Sequence, residues 1–377
     1  MRYRLDGQDG SVGIHGDRLV PVGSRFDFSV PLGSGELRAG LINAHDHLHR
    51  NHYPRLGTPP YEDAYAWGLE LHARHSGEIA RARALPRREA LLFGALKNLL
   101  GGVTSVVHHD PWEPTFERDF PLRVVRLWHA HSPGFDAAGV RAAAARGAAA
   151  GPLMIHVAEG VNAAAAEEVR TLDRAGLVNG SLLAVHLVGA DVDGVARLHA
   201  AGAATVWCPT SNHFLFGRTA PAELLGGGDV LLGTDALLTG AGTLLDELRA
   251  ARALGTLDDG RLHEAVGRLA ARRLGMGPHA DDGHAPADLV LLRRPLLEAS
   301  ARDVALVIVG GVPRLGDDHF APLFQRAGVA VDEILVGGVG KLVCSPLGRI
   351  AARVVHDWPE SGRILAPPSA RSAARTA

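Results

Sequence analysis

A chain of 377 residues is long enough for one large domain with a smaller one attached, or for a single decorated α/β barrel. Charged residues make up 21% and hydrophobic ones 46%, the balance of an ordinary soluble globular protein, and a formal charge of -2 excludes the basic field of a nucleic-acid-binding surface. No apolar run reaches the length of a membrane span, and the opening MRYRLDGQDG lacks the apolar core of a signal peptide, so a cytoplasmic protein is expected. Cys208 and Cys344 are too few and too far apart for a disulfide framework. Histidine is abundant, 20 residues, whereas the only lysines are Lys97 and Lys341.

Residues 1–40 read as short strands punctuated by Gly and Pro, the texture of hairpins. From Leu41 short apolar runs alternate with Ala/Leu/Arg-rich stretches of helical period. The expected strands are GLINAH, VTSVVHH, LRVVRLW, LMIHVA, LLAVHL, ATVWCP and DVLLGTD. Strand and helix alternating from residue 41 to 282 predict a parallel α/β fold, with the rhythm of a (β/α)8 barrel. Seven strands are found where eight are needed. Either HAHSP, residues 129–133, holds a very short strand or the barrel is irregular between 103 and 153. From residue 283 to 350 strand texture returns, and this predicts the second half of a small β domain begun by residues 1–40. Residues 351–377 read as a C-terminal tail with a disordered end, and residues 317–365 fit no recognisable pattern.

The chemistry gathers where apolar runs stop. Side chains in a strand alternate faces, so His45 and His47 project the same way. His156 ends LMIHVAE, with Glu159 three residues on; His186 ends LLAVHLVG; Asp235 ends VLLGTDA. In a parallel barrel such strand ends open into one mouth. Imidazole nitrogens and a carboxylate oxygen are the ligands a catalytic Zn²⁺ or similar ion takes. One such His or one HxH pair is ordinary; four strand ends carrying HxH, HxxE, H and D in order point to a site.

These motifs, GLINAHDHLH, IHVAEG, AVHLVG, CPTSN and LGTDALLTG, resemble those of the amidohydrolase superfamily, in its cytosine-deaminase-like and chlorohydrolase-like branch. The C-terminal ADLVLL and VALVIVGGVPR are similar to the strand pair that closes the family's small β domain. The resemblance implies a distorted (β/α)8 TIM-like barrel with a small β-sandwich domain built from both termini. It implies that His45, His47, His156 and Asp235 hold one divalent metal, Zn²⁺ before Fe²⁺. It implies Glu159 as proton shuttle, His186 as the group that orients water or polarises the carbon, and Asp235 as proton acceptor beside the metal. The expected activity is hydrolytic deamination of a nucleobase-, pterin- or triazine-like ring by metal-activated hydroxide, with cyclic-amide or ring C–Cl hydrolysis as the alternative. A non-catalytic scaffold is disfavoured because no ligand is missing. Neither lysine is placed to bridge two metals, so one metal is expected. The partner is a small heterocyclic substrate, and barrels like this commonly pair into homodimers.

Further candidates sit around this set. His131 resembles a substrate-contacting His in an HSP segment. His109, Trp67 and Asn212 are also expected near substrate, with Asn212 alternatively fixing its own loop. One of His108 and His109 must point away from the other. His49 continues the opening alternation or lies at the rim. His52, His72 and His75 fall with Trp67 in a long first loop that suits specificity or plain packing. Cys208 reads as a small buried residue rather than a nucleophile.

Overall fold

The computed structural model describes residues 1–147, 151–277 and 285–366. The expected disordered end therefore lies outside the described residues from 367 on. The molecule is a mixed α/β protein with two parallel and two largely antiparallel sheets.

The N-terminal strands are β1 (Arg2–Gly7), β2 (Gly10–His15), β3 (Arg18–Val20), β4 (Phe28–Gly33) and β5 (Glu36–Ala39). The first four form one sheet in the order β3-β2-β1-β4. The parallel strands follow: β6 (Leu41–Asp46), β7 (Val103–His108), β8 (Arg123–Val125), β9 (Trp128–His129), β10 (Leu153–Val157), β11 (Leu182–His186), β12 (Ala204–Trp207) and β13 (Val230–Leu232). They pair as β6-β7-β8 and as β13-β12-β11-β10-β9. LRVVRLW is thus broken. Its first half pairs with β7 and its last residues with β10, so one stretch serves both sheets and the short strand falls at Trp128–His129. The other sheet ends also meet, since Thr234 N and His47 N donate to His45 O and Asp235 O at 2.9 and 3.0 Å.

Side-chain alternation builds the layers. Ile42, Ala44, Met154, Leu183, Val185, Val206 and Leu231 share one apolar cluster. Leu41, Leu153, Ile155, Leu182, Ala184 and Leu232 pack in a second with the helices. Helix starts are set locally. Asp63, Asp136, Asn162, Asp191 and Asp258 each accept a backbone N–H of the first turn. α1 (Ala64–Arg74), α2 (Ser76–Arg83) and α3 (Arg87–Leu100) fill the long connection between β6 and β7.

The C-terminal strands are β14 (Leu289–Leu292), β15 (Val304–Val309), β16 (Val312–Asp317), β17 (Val331–Val336) and β18 (Val339–Cys344). With β5 they form a six-stranded sheet, β17-β18-β16-β15-β14-β5. Tyr3, Leu5, Ile14 and Leu32 from the N-terminal sheet share a core with Leu289, Leu306, Ile308 and Phe324. Residues 317–365, unplaced from sequence, supply β17 and β18 and then a helix, Leu347–Asp357, which crosses the expected boundary at 350. That helix ties to α3 through Arg353 and Glu89 at 2.9 Å. Beyond it Ser361 Oγ donates to His52 O at 2.8 Å, and the Arg363 guanidinium donates to the carbonyls of Leu237, Gly240 and Ala241. The last described residues thus brace the loops around the candidate site. No helix among the described residues is long and apolar enough to cross a membrane.

Candidate metal centre

β6 carries the first donors, and its irregularity aims them. Asn43 and Asp46 are three apart, so a regular strand would point them oppositely. Both bond Asn98 of α3, at 2.8 and 2.7 Å, because the pairing with β7 slips between them. His45 and His47 turn the other way, their rings 5.0 Å apart. Gly233 lets the chain before Asp235 close against β6, since a Cβ there would come within 2.6 Å of His45 Cβ. Ala158, His186, Leu187 and Asp235 all have positive φ, at 50°, 73°, 54° and 54°. Such backbone costs about 1–3 kcal/mol per residue and here re-aims the ends of three strands into one place.

The geometry brings His45, His47, His156 and Asp235 together. Asp235 Oδ1 lies 3.7 Å from His45 Nε2 and 3.6 Å from His47 Nε2, and His156 Nε2 lies 3.3 Å from His45 Nε2. Three of the four are held from behind, whereas His45 Nδ1 is buried without a hydrogen-bond partner. His47 Nδ1 meets Asp110 Oδ2 at 2.6 Å, and His156 Nδ1 donates to His131 O at 2.8 Å. Asp235 Oδ2 accepts from Ser211 Oγ and Thr239 Oγ1, both at 2.7 Å. Because Nδ1 carries the proton in His47 and His156, their Nε2 atoms present bare lone pairs to the centre. Burial pushes the His45 imidazolium down to about 4, with His47 and His186 adding to the effect and Asp235 opposing it. Burial raises Asp235, but the hydrogen bond and charge of His45 and the charges of His47 and His186 hold it well below the usual carboxylate range. Imidazole nitrogens and a carboxylate oxygen converging in this way are the donor set of a divalent cation.

Glu159 and His186 stand beside this set. His186 Nε2 is 3.5 Å from Glu159 Oε1. Burial, together with Asp235 and Glu168, pushes Glu159 up to about 7, while His186 and Arg50 oppose. His186 Nδ1 donates to Asn212 Oδ1 at 2.8 Å, so its Nε2 is also bare and a proton on Glu159 satisfies both groups.

A cavity of about 780 Å³ opens over these residues. His47, His156, Glu159, His186 and Asp235 line it, as do His131, Trp67, His72, Arg50 and the apolar side chains of α1 and α2. Trp67 presents its ring only, because its Nε1 donates to Leu56 O at 3.1 Å. Two of the residues expected near substrate are placed otherwise. Asn212 is fully buried and holds His186, which is its loop-fixing alternative. His109 is 2% exposed, does not line the cavity, and packs against His45, His47 and His156. His108 takes a separate direction, accepting Leu48 N at 3.2 Å, and His49 Nδ1 lies 3.6 Å from Asp110 Oδ2. His52 donates to Ala82 O at 2.9 Å and packs on Tyr53, and His75 joins α1 to α2. Cys208 is fully buried, and burial drives its thiol well up, which keeps it inert.

Lys97 is committed elsewhere. Its Nζ lies 2.9 Å from Asp46 Oδ2 and donates to Thr234 Oγ1 at 2.8 Å, with both charged groups fully buried. Lys341 Nζ bonds Asp317 and the carbonyls of Arg302 and Val304. Sequence reasoning missed Asp110, Ser211, Thr239 and the Asp46–Lys97 pair. Asp110 and Ser211 were within reach, in VVHHDP and CPTSN, directly beside residues already singled out.

No family model matches the sequence. The aminodeoxyfutalosine deaminase of Deinococcus radiodurans is 42% identical over 74 residues, 19% of this chain. The match spans only 18% of that relative's length. Among solved structures, a zinc-bound adenosine deaminase from Xanthomonas campestris superposes with a TM-score of 0.64 at 19% identity, covering 87% of this chain and 96% of that one. An atrazine chlorohydrolase variant from Arthrobacter aurescens, complexed with zinc and atraton, gives 0.69 at 17%, covering 94% and 98%. An amidohydrolase from a Sargasso Sea environmental sample gives 0.60 at 14%, covering 83% and 92%. The resemblance carried by the five motifs is borne out, and the chain has the fold of the amidohydrolase superfamily.

Proposed function

We propose that this chain is a metal-dependent hydrolase that deaminates an aminated N-heterocycle of nucleobase-, pterin- or triazine-like type. In this reading the two parallel sheets are one distorted (β/α)8-type barrel, and residues 1–40 and 283–350 form its small β domain. His45, His47, His156 and Asp235 hold one divalent ion, Zn²⁺ before Fe²⁺. The observation that carries the reading is the convergence of His45 and His47 Nε2 on Asp235 Oδ1, with His156 Nε2 against His45, beside a carboxyl group that keeps its proton near neutrality.

A divalent ion in that position supplies a Lewis acid that lowers the pKa of water toward neutrality. The chain's own groups do the rest. Ser211 and Thr239 occupy Asp235 Oδ2, so Oδ1 is the oxygen that faces the centre, where it would both hold the ion and accept a proton from water beside it. Glu159 is neutral up to about 7, so it can donate its proton to a ring nitrogen, take up by way of Asp235 a proton from the attacking water and pass that one to the departing amine; the second proton of the water restores Glu159 as the carbonyl forms. His186, fixed by Asn212, keeps Nε2 toward Glu159 and toward the carbon under attack. The apolar wall from α1 and α2 shields the ring from bulk water. The deaminase named as a relative and the zinc-bound adenosine deaminase of similar fold support this chemistry over ring opening.

The test is a screen for ammonia release over aminated heterocycles with metal-loaded protein. Ammonia release with the ring intact is expected; ring opening or chloride release alone would reassign the reaction. Glu159→Gln is expected to keep about one equivalent of metal and lose roughly 10²–10⁴-fold in turnover. Full activity in that variant ends the proton-shuttle assignment.

A further inference from the structure

We propose that His109 is a further donor to the metal centre, which makes the protein's donor set four imidazoles and one carboxylate. The inference rests on the metal-centre reading above and adds a residue to it.

Three observations place His109 there. First, its tautomer is fixed. Nε2 lies 2.9 Å from Ala130 O, and a carbonyl only accepts, so Nε2 carries the proton and Nδ1 is a bare lone pair. Second, that Nδ1 is buried with no hydrogen-bond partner, in a residue 2% exposed. A buried acceptor left unsatisfied is unfavourable, and no hydrogen-bond partner reaches this one. A cation would satisfy it. Third, one ring nitrogen from each of His45, His47, His109 and His156 can be chosen so that all four lie within 4.8 Å of one another. The ring of His109 is 4.3 Å from that of His156 and 5.0 Å from that of His45.

The arrangement repeats what holds the other ligands. His156 spends one nitrogen on His131 O and offers the second inward; His109 spends one on Ala130 O and does the same. Adjacent carbonyls of one segment thus orient two imidazoles. The consequence is metal preference. An extra imidazole suits an ion that accepts five or six ligands, such as Fe²⁺ or Co²⁺, better than the four-coordinate habit of Zn²⁺.

The test uses the full-length protein and cobalt or zinc alone. Metal-edge X-ray absorption on the wild type should count four imidazole nitrogens, and Co²⁺ should give the weak visible bands of a five- or six-coordinate ion. His109→Gln keeps an amide donor in reach of Ala130 O but removes the inward donor. It should lower metal affinity about tenfold or more by chelator competition, and should turn the cobalt spectrum toward the intense tetrahedral type. His109→Asn, whose amide oxygen falls near the position of Nδ1, should recover part of the affinity. Three imidazoles in the wild type, or unchanged affinity and spectrum in a folded His109→Gln protein, overturns the proposal while leaving the metal centre intact. Failure of the wild type to bind either metal overturns both.

Discussion

At the scale of single residues, the site is a problem of proton placement. Each imidazole must present one nitrogen bare, and the partner on the other nitrogen decides which. For His47 that partner is Asp110, 2.6 Å from Nδ1. Burial raises Asp110, but the charge and hydrogen bond of His47, aided by Arg50 and His49, hold its carboxyl far below the usual range. It therefore stays an acceptor. In Asp110→Asn the charge is lost and the amide can rotate to donate instead, which puts the lone pair of His47 on the wrong nitrogen. Metal affinity is expected to fall about 10–100-fold, read by competition with a chromophoric chelator, while the protein stays folded. An unchanged affinity would mean that His47 is oriented by something else. His45, His47, His156, Glu159, His186 and Asp235 were legible in the sequence because strand alternation and strand ends fix direction locally. Asp110 was not singled out, and the placement of Asn212 against His186 and of His109 away from the cavity depends on partners across the fold that no spacing encodes.

At the scale of elements, what holds the catalytic loops is as informative as what they carry. Ser211 and Asn212 lie on the short helix Pro209–Phe216, whose first turn is anchored by Glu247 from the helix Leu244–Leu254. Thr210 N donates to Glu247 Oε2 at 3.0 Å, and Thr210 Oγ1 bonds the other oxygen. Burial pushes Glu247 up to about 8, with Asp246 adding and the bonds from Thr210 opposing. A carboxyl raised in the folded state contributes stability that is full below its unfolded pKa near 4.3 and is lost as pH rises toward about 8. Glu247→Gln mimics the protonated acid and removes that dependence. Urea unfolding of the two proteins should give similar stability at pH 5, and the variant should be more stable by on the order of a few kcal/mol at pH 9. A constant difference across that range would show that Glu247 does not titrate between those limits. The strand and helix order was legible here because burial on both faces makes parallel strands into apolar runs. The broken strand at 123–129 and the bracing helix Leu347–Asp357 were not. The first has too few residues for a period, and the second has a partner, α3, more than two hundred and fifty positions away.

At the scale of the whole molecule, the donors close the fold as well as the site. His45 and His47 come from the first parallel strand, His156 from the middle of the series, and Asp235 from the end of the last. Backbone bonds from Thr234 and His47 already join the first strand to the last. The imidazole nitrogens and carboxylate oxygen that meet there are buried within 3.3 to 3.7 Å of one another, an arrangement that a cation among them would stabilise. Metal binding to the folded state alone adds about 2.7 kcal/mol of stability when free metal is 100 times its dissociation constant. Removing metal with a chelator should therefore lower the melting temperature by several degrees, and adding back Zn²⁺ in excess should restore it. The shift should grow with metal concentration and vanish in Asp235→Asn combined with His156→Gln, where two of the donors are gone. If the chelated and metal-loaded proteins melt together, the strand ends do not converge on a cation, and the buried lone pairs need another explanation.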